Sequence, residues 1–213
     1  MIRIRASSLG KIMSDPTAKA MKEGEILSAG AKTFCYELAK EFAYSYRKVI
    51  YSKPMEKGTQ CEDESIDLLN SVLFTGYQKN TERKNTDYLT GECDIYTGNS
   101  IIDIKTSWDL STFPATAAQA HDTGYEWQLR AYMHLWDCDS ARLAFCLIDT
   151  PNELINFEQE DLHFVSHIPA EKRLTIVEYQ RDLELEQKIP LKCKAAQELI
   201  LSIVRQIELE HTY

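Results

Sequence analysis

The residues best suited to chemistry lie between Gly91 and Thr106. Gly91-Glu92-Cys93-Asp94-Ile95-Tyr96 and Ile101-Ile102-Asp103-Ile104-Lys105-Thr106 read as two short strands joined by a turn at Thr97-Gly98-Asn99-Ser100. The first strand carries one carboxylate, Asp94. The second carries Asp103 and Lys105 two positions apart, which puts both side chains on one face of a sheet. A carboxylate pair with a lysine beside it, on rigid apolar strands, suits a hard divalent cation and a phosphate bound together. Magnesium takes oxygen ligands and keeps several waters. Asp94, Asp103 and the backbone carbonyl of Ile104 would supply half a shell. Lys105 would then stand beside an attacking water or the charge growing on phosphoryl oxygens. The plainer alternative is an edge strand on which Asp103 and Lys105 form a cross-strand ion pair.

Two further segments join this set. Glu62, in Gly58-Thr59-Gln60-Cys61-Glu62, shares a helical face with Ile66 and Leu69, so its carboxylate points along the core-facing side. A buried carboxylate is costly unless paired or metal-bound. Against this, Glu62 also opens the acidic run Glu62-Asp63-Glu64, whose plain reading is an exposed face. Gln128 and Tyr132 are four apart and stack on one side of a helix. Gln128 would orient the lysine or a water, and Tyr132 would support it or touch a nucleic-acid backbone. The alternative is a surface Gln and a core Tyr.

The elements that must position these groups follow from pattern. Residues 6–14 read as a short helix capped by Ser7 or Ser8, and 16–27 as loop. Ala31, Phe34, Leu38, Phe42 and Tyr46 recur at helical spacing from Ser28 to Tyr46. A second helix runs from Pro54 to Leu73 with Pro54 in its first turn. Strands follow near 86–96 and 100–106, then a loop through Ser107, Ser111, Thr112 and Pro114. A helix over 122–137 is opened by Asp122 or Thr123, and Ala141–Ile148 is a short strand. Phe164–Ile168 and Leu174–Tyr179 alternate like further strands. Asp182 starts a C-terminal helical region interrupted by Pro190. This order predicts an α/β fold, a central mixed β-sheet flanked by helices.

Composition narrows the class. The 213 residues fit one domain: a basic helical part (1–53), a core (54–148), and C-terminal strands and helix (149–213). No apolar run approaches a membrane span, and the start of the chain lacks a signal-peptide pattern, so a cytoplasmic location is expected. Six cysteines, none within three residues of another, argue against a zinc knuckle or an iron–sulfur cluster. The net charge of -9 is unevenly spread: residues 1–53 hold ten Lys/Arg against five Asp/Glu. A basic front on an acidic body can dock a phosphate backbone, because local patches govern such binding. From charge alone, a solvated surface with chance asymmetry is the simpler account. His163 and His167, on a strand, would lie about 13 Å apart and make no metal pair. Trp108, in the loop after the Asp103 strand, is the best candidate for stacking on a base. Trp136 reads as core. Lys79, Arg83 and Lys84 form a small basic cluster that suits either phosphate contact or a solvated loop.

Taken together, Glu62 … Asp94 … Asp103-x-Lys105 … Gln128-x-x-x-Tyr132 resembles the PD-(D/E)XK nuclease superfamily, in particular its RecB-like and lambda-exonuclease-like (YqaJ-type) branches. Order and spacing match over roughly residues 54–148. Arg5-Ala6-Ser7-Ser8 before a short helix resembles the start of the phage exonucleases, where such residues help hold the DNA end. Arg173–Tyr179 and the following helix look like the family's closing strand and helix. The chain has Cys93 where the naming proline stands, and Asp103 where many members have Glu. RecB-like and CRISPR-associated members are similar in using a histidine at the place of Glu62, which with the absent cysteine cluster favours the phage-exonuclease branch.

The resemblance implies a Mg2+-dependent deoxyribonuclease, with Mn2+ able to substitute and two ions in that family's scheme. Asp94, Asp103 and Ile104 would match the metal ligands, Glu62 the acid serving a second ion, Lys105 the catalytic lysine and Gln128 the motif glutamine. Arg5, Ser7, Ser8, Tyr132 and Trp108 would contact DNA. It further implies a 5′-to-3′ exonuclease on double-stranded ends in phage-type recombination, a single-strand annealing partner, a ring-shaped homotrimer and no membrane. The alternatives are a RecB-like endonuclease, a single-strand or flap nuclease, a catalytically silent DNA-binding adaptor of the same fold, or an unrelated α/β domain.

Overall fold

A computed structural model describes residues 2–156 and 159–211. Its strands are β1 (Ile4–Arg5), β2 (Lys84–Asn85), β3 (Leu89–Gly91), β4 (Ile95–Tyr96), β5 (Ser100–Thr106), β6 (Ser140–Cys146) and β7 (Leu174–Gln180). Its helices are α1 (Gly10–Met13), α2 (Ala18–Lys22), α3 (Ala29–Ala43), α4 (Lys53–Gln60), α5 (Glu62–Leu73), α6 (Ala117–Ala120), α7 (Thr123–Trp136), α8 (Glu160–His163), α9 (Leu183–Glu186) and α10 (Lys188–Glu210). The mixed α/β architecture holds, with two sheets in place of one. A small sheet has the order β1-β3-β2, and the larger one β4-β5-β6-β7. In the larger sheet β5 runs antiparallel to β4 and parallel to β6, with Asp103 beside Leu143 and Lys105 beside Phe145.

The alternation of β5 explains why it is central. Ile102 and Ile104 enter an apolar cluster with Ile66, Leu69 and Ala144, and so face α5. Ile101 enters the larger cluster with Leu129, Met133, Phe34 and Ile200, which joins residues of α7, α3 and α10. Asp103 and Lys105 share the face of Ile101, so α7 covers them. The tight β4–β5 turn uses Gly98 at a φ of 98°, closed by the Thr97 N–H donating to Ser100 O at 3.0 Å. Helix α7 starts where Asp122 Oδ1 accepts the Tyr125 N–H at 3.0 Å. A side chain at Gly91 would come within 2.9 Å of Tyr132 Cε1, so this glycine lets α7 lie against β3.

Several local expectations are corrected. Residues 6–8 form a 3-10 turn and α1 follows, with no serine side-chain cap at either start; Ser7 and Ser8 do not serve as N-caps. The loop expected over 16–27 contains α2, capped by Thr17. Phe42 and Tyr46 are exposed, although they share the helical spacing of buried Ala31 and Phe34. The helix expected over 54–73 breaks at Cys61 into α4 and α5. The strand expected over 86–96 divides between the two sheets. Phe164–Ile168 is irregular, because Asp149 Oδ1 accepts the N–H groups of Val165 (2.6 Å) and Ser166 (2.8 Å) in place of a strand partner. Pro190 sits in the first turn of α10, where a missing N–H costs nothing, and starts the helix rather than interrupting it. Among the described residues, no helix is long and apolar enough to cross a membrane.

Candidate active site

Asp94 precedes β4 by one residue rather than lying within a strand. Its Oδ2 accepts the Ile104 N–H at 2.6 Å. That bond exists because β4 pairs only with Ile101 and Ile102, which leaves the edge of β5 beyond them open. The N–H and C=O of one strand residue point to the same side, so the Ile104 carbonyl faces this open edge too. Asp103 is buried. Its Oδ1 accepts from Gln128 Nε2 at 3.0 Å, and its Oδ2 lies 2.7 Å from Lys105 Nζ. That ion-pair contact lacks hydrogen-bond geometry, and Oδ2 has no other partner among the described residues. Gln128 Nε2 also donates to the Tyr132 hydroxyl at 3.0 Å.

The electrostatics follow from crowding two acids in a dry place. Burial, then the charge of Asp103, push the Asp94 carboxyl up to about 7, against the pull of the Ile104 N–H and Lys105. Burial works to lower the Lys105 ammonium, yet the charge and proximity of Asp103 outweigh it and the net shift is upward. Burial likewise raises the Tyr132 phenol. A cation between Asp94 and Asp103 would relieve their repulsion, and Asp103 Oδ2, whose one close partner is the Lys105 ammonium, keeps a lone pair for it. Among the described residues no group of three His, Cys, Asp or Glu side chains could hold an ion by itself. A carbonyl, waters and a phosphate would have to complete the shell, as suits magnesium.

One cavity of about 640 Å³ gathers Glu62, Asp94, Asp103, Ile104, Lys105, Trp108, Gln128 and Tyr132. Glu62 is not in the core: the break at Cys61 turns it to the cavity rim, where it pairs with Lys79 Nζ at 2.7 Å. Trp108 is half-buried, with its ring edge-on to His163 (5.1 Å) and the Lys53 ammonium 5.9 Å over it. His163 ends α8 rather than lying on a strand, and its Nδ1 shares a 3.0 Å hydrogen bond with Thr150. Arg5, Ser7 and Ser8 lie outside this cavity. Arg5 and Ser7 line a small adjoining recess with Arg47, Arg83 and Tyr132. Arg5 and Ser8 line a groove with Lys11, Arg47 and Lys48 that reaches the cavity at Met55. Trp136 is core, and Lys84 sits 5.5 Å over its ring.

One residue of the cavity and one buried behind it escaped the sequence. Tyr125 lines the cavity with Lys105 Nζ 4.9 Å from its ring centroid. Its position three residues before Gln128 carried the signal. Lys57 is fully buried and donates to Trp108 O at 2.8 Å and Ile148 O at 2.7 Å, pinning the loop after β5 to the end of β6. Nothing in the sequence marks a lysine for burial.

With this geometry in place, comparison is informative. A phage related exonuclease from Haemophilus somnus 129PT superposes with a TM-score of 0.91 at 36% identity, over 97% of this chain and 96% of that one. The chain belongs to the lambda-exonuclease-like branch of the PD-(D/E)XK nucleases. This nuclease also shares its fold with the alkaline exonuclease LHK-Exo from Laribacter hongkongensis, at a TM-score of 0.70, 10% identity and coverage of 98% and 92% of the two chains. A structure of LHK-Exo in complex with dAMP matches at 0.66 and 14% identity. No family model and no curated protein matches the chain.

Proposed function

We propose that the chain is a magnesium-dependent deoxyribonuclease that degrades double-stranded DNA from its ends in the 5′-to-3′ direction. The observation that carries this reading is the buried Asp103 beside the partly buried Asp94, with the Lys105 ammonium 2.7 Å from Asp103 Oδ2 as their cation. Asp94, Asp103 and the Ile104 carbonyl would hold the ion, with Glu62 at the rim available to a second. When bound, Mg2+ or Mn2+ supplies Lewis-acid activation of water and neutralises phosphoryl charge. Lys105 holds a positive charge where the attacking water and the phosphate oxygens meet. Gln128 fixes the orientation of Asp103, and Tyr132 fixes Gln128. Attack of water on phosphorus with loss of the 3′ oxygen yields a 5′-mononucleotide, and dAMP bound to LHK-Exo supports a product of that class.

DNA would approach from the groove and recess that carry Arg5, Ser7, Ser8, Arg47 and Lys48, with Trp108 at the cavity against a base. A ring-shaped homotrimer and a single-strand annealing partner belong to the same proposal, and mass measurement in solution tests the first.

The deciding experiment digests linear duplex DNA with one 5′-phosphorylated end beside a covalently closed circle, with and without magnesium, using wild type and Lys105→Ala. Magnesium-dependent loss of the linear DNA from its phosphorylated 5′ end, absent in the variant, supports the proposal. Cleavage of the circle replaces it with an endonuclease. Binding without cleavage replaces it with a silent adaptor.

A further inference from the structure

Lysine has a flexible stem of four carbons and a point charge, so one ion pair does not fix its ammonium. Lys105 is about one-quarter exposed (24%), and Asp103 is its ion-pair partner. Its second contact is the ring of Tyr125, 4.9 Å away. That distance is within reach of a cation–π attraction, which strengthens as water is removed.

Tyr125 is itself braced. Its N–H is capped by Asp122 in the first turn of α7. Its ring packs edge-to-face on Phe145, with centroids 6.1 Å apart and planes at 69°. Phe145 is the register partner of Lys105 across β5 and β6. The brace and the lysine therefore rest on neighbouring positions of the same sheet. Tyr125, Gln128 and Tyr132 also fall at i, i+3 and i+7 on α7, one helical face. Gln128 grips Asp103 while Tyr125 covers Lys105.

We propose that Tyr125 is a positioning residue that holds the Lys105 ammonium by the face of its ring, with no need for its hydroxyl. This inference rests on the proposed role of Lys105 at the phosphate. The hold depends on the negative face of the ring, which shape alone cannot mimic.

The test replaces Tyr125 with Phe, Leu and a series of phenylalanines bearing one, two and three ring fluorines, which drain the negative face while nearly keeping the shape. Cleavage of linear duplex DNA is followed as kcat and KM. Tyr125→Phe should stay within about twofold of wild type, and Tyr125→Leu should lose about tenfold in kcat with little change in KM. The fluorinated variants should fall stepwise between the two. A flat fluorine series at the Phe level overturns the proposal, and so does a loss confined to KM.

A second measurement needs no turnover and no metal. In protein labelled at lysine, the ε-methylene signal of Lys105, assigned with Lys105→Arg, should be moved upfield by the ring. It should return to the ordinary position in Tyr125→Leu. An ordinary position in the wild type overturns the inference whatever the enzyme cleaves. A wild type that cleaves no DNA sinks the parent reading, while the ring shift still decides whether Tyr125 holds Lys105.

Discussion

The charged knot on β5 and the segment from Tyr44 to Tyr51 meet at Met55, which borders both the candidate cavity and the basic groove. They are built on opposite terms. In the knot, Asp103 and Gln128 are buried and each is held by a named partner. In the segment, Val49, Ile50 and Tyr51 are 79%, 62% and 74% exposed and directly follow Arg47 and Lys48. The segment is tied back by sparse bonds, such as Lys48 N–H to Glu41 at 3.1 Å and the Tyr51 hydroxyl to Glu56. Charges in the knot act through little water and interact strongly, whereas those on the segment are screened by salt. Exposed apolar side chains beside cations offer contact area to a ligand instead. The knot should therefore govern the chemical step, and the segment the hold on DNA.

The sharpest way to break this contrast is Asp103→Asn. It keeps the shape, and cleavage should fall at least about a thousandfold. The melting temperature should hold or rise, since a buried charge beside Asp94 is gone, and titration calorimetry should show weaker magnesium binding. Retained activity would separate Asp103 from the chemistry. Gln128→Ala removes the positioning bond alone and should cost about ten- to a hundredfold in kcat, by analogy with the groups that orient metal ligands.

On the other side of Met55 the signature should change. A Val49→Ser, Ile50→Ser double variant should raise KM about fivefold, leave kcat in place and shift stability by less than about 0.5 kcal/mol. Arg47→Ala should lower the slope of log affinity against log salt by about one. A fall in kcat with either would join the two regions into one functional unit.

A further expected effect falls on stability alone and concerns pH. Burial pushes the Lys57 ammonium down to about 8, below its ordinary 10.5. Between those values the unfolded chain holds more protons than the folded one, so folding gains stability as pH rises. The stability of wild type relative to Lys57→Met should grow between pH 8 and 10.5 and stay level below 8. Urea unfolding at pH 7.5 and 9.5 reads this difference. The Val49→Ser, Ile50→Ser variant should instead follow wild type at both values.

The same contrast explains what the sequence made legible. Alternation along Ile101–Thr106 and the Thr97–Ser100 turn located β5, and the i, i+4 spacing aligned Gln128 with Tyr132. These are local regularities, and the fold kept them. Glu62 was misplaced because the break at Cys61 carries no Pro or Gly; it arises where α4 and α5 pack against the rest of the chain. Residues 164–168 alternate like a strand, yet the Asp149 carboxylate, distant in sequence, takes their N–H groups. Arg5, Ser7 and Ser8 came out beside the cavity rather than in it, since β1 belongs to the small sheet with β3. Lys57 needed two carbonyls from the segments that follow β5 and β6, neighbours in space but far apart in sequence, a placement no local pattern encodes.

Tyr125, Gln128 and Tyr132 form a single stripe, and this constrains how the chain can change length over evolution. The connection between β5 and α7 can gain or lose residues at its surface and still deliver the stripe intact. One residue inserted within α7, between Tyr125 and Tyr132, turns everything beyond it by about 100° and splits the stripe, taking Tyr132 off the face that Tyr125 shares. Relatives of this nuclease should therefore vary in the exposed part of that connection beyond Thr112, while holding the count inside the helix fixed.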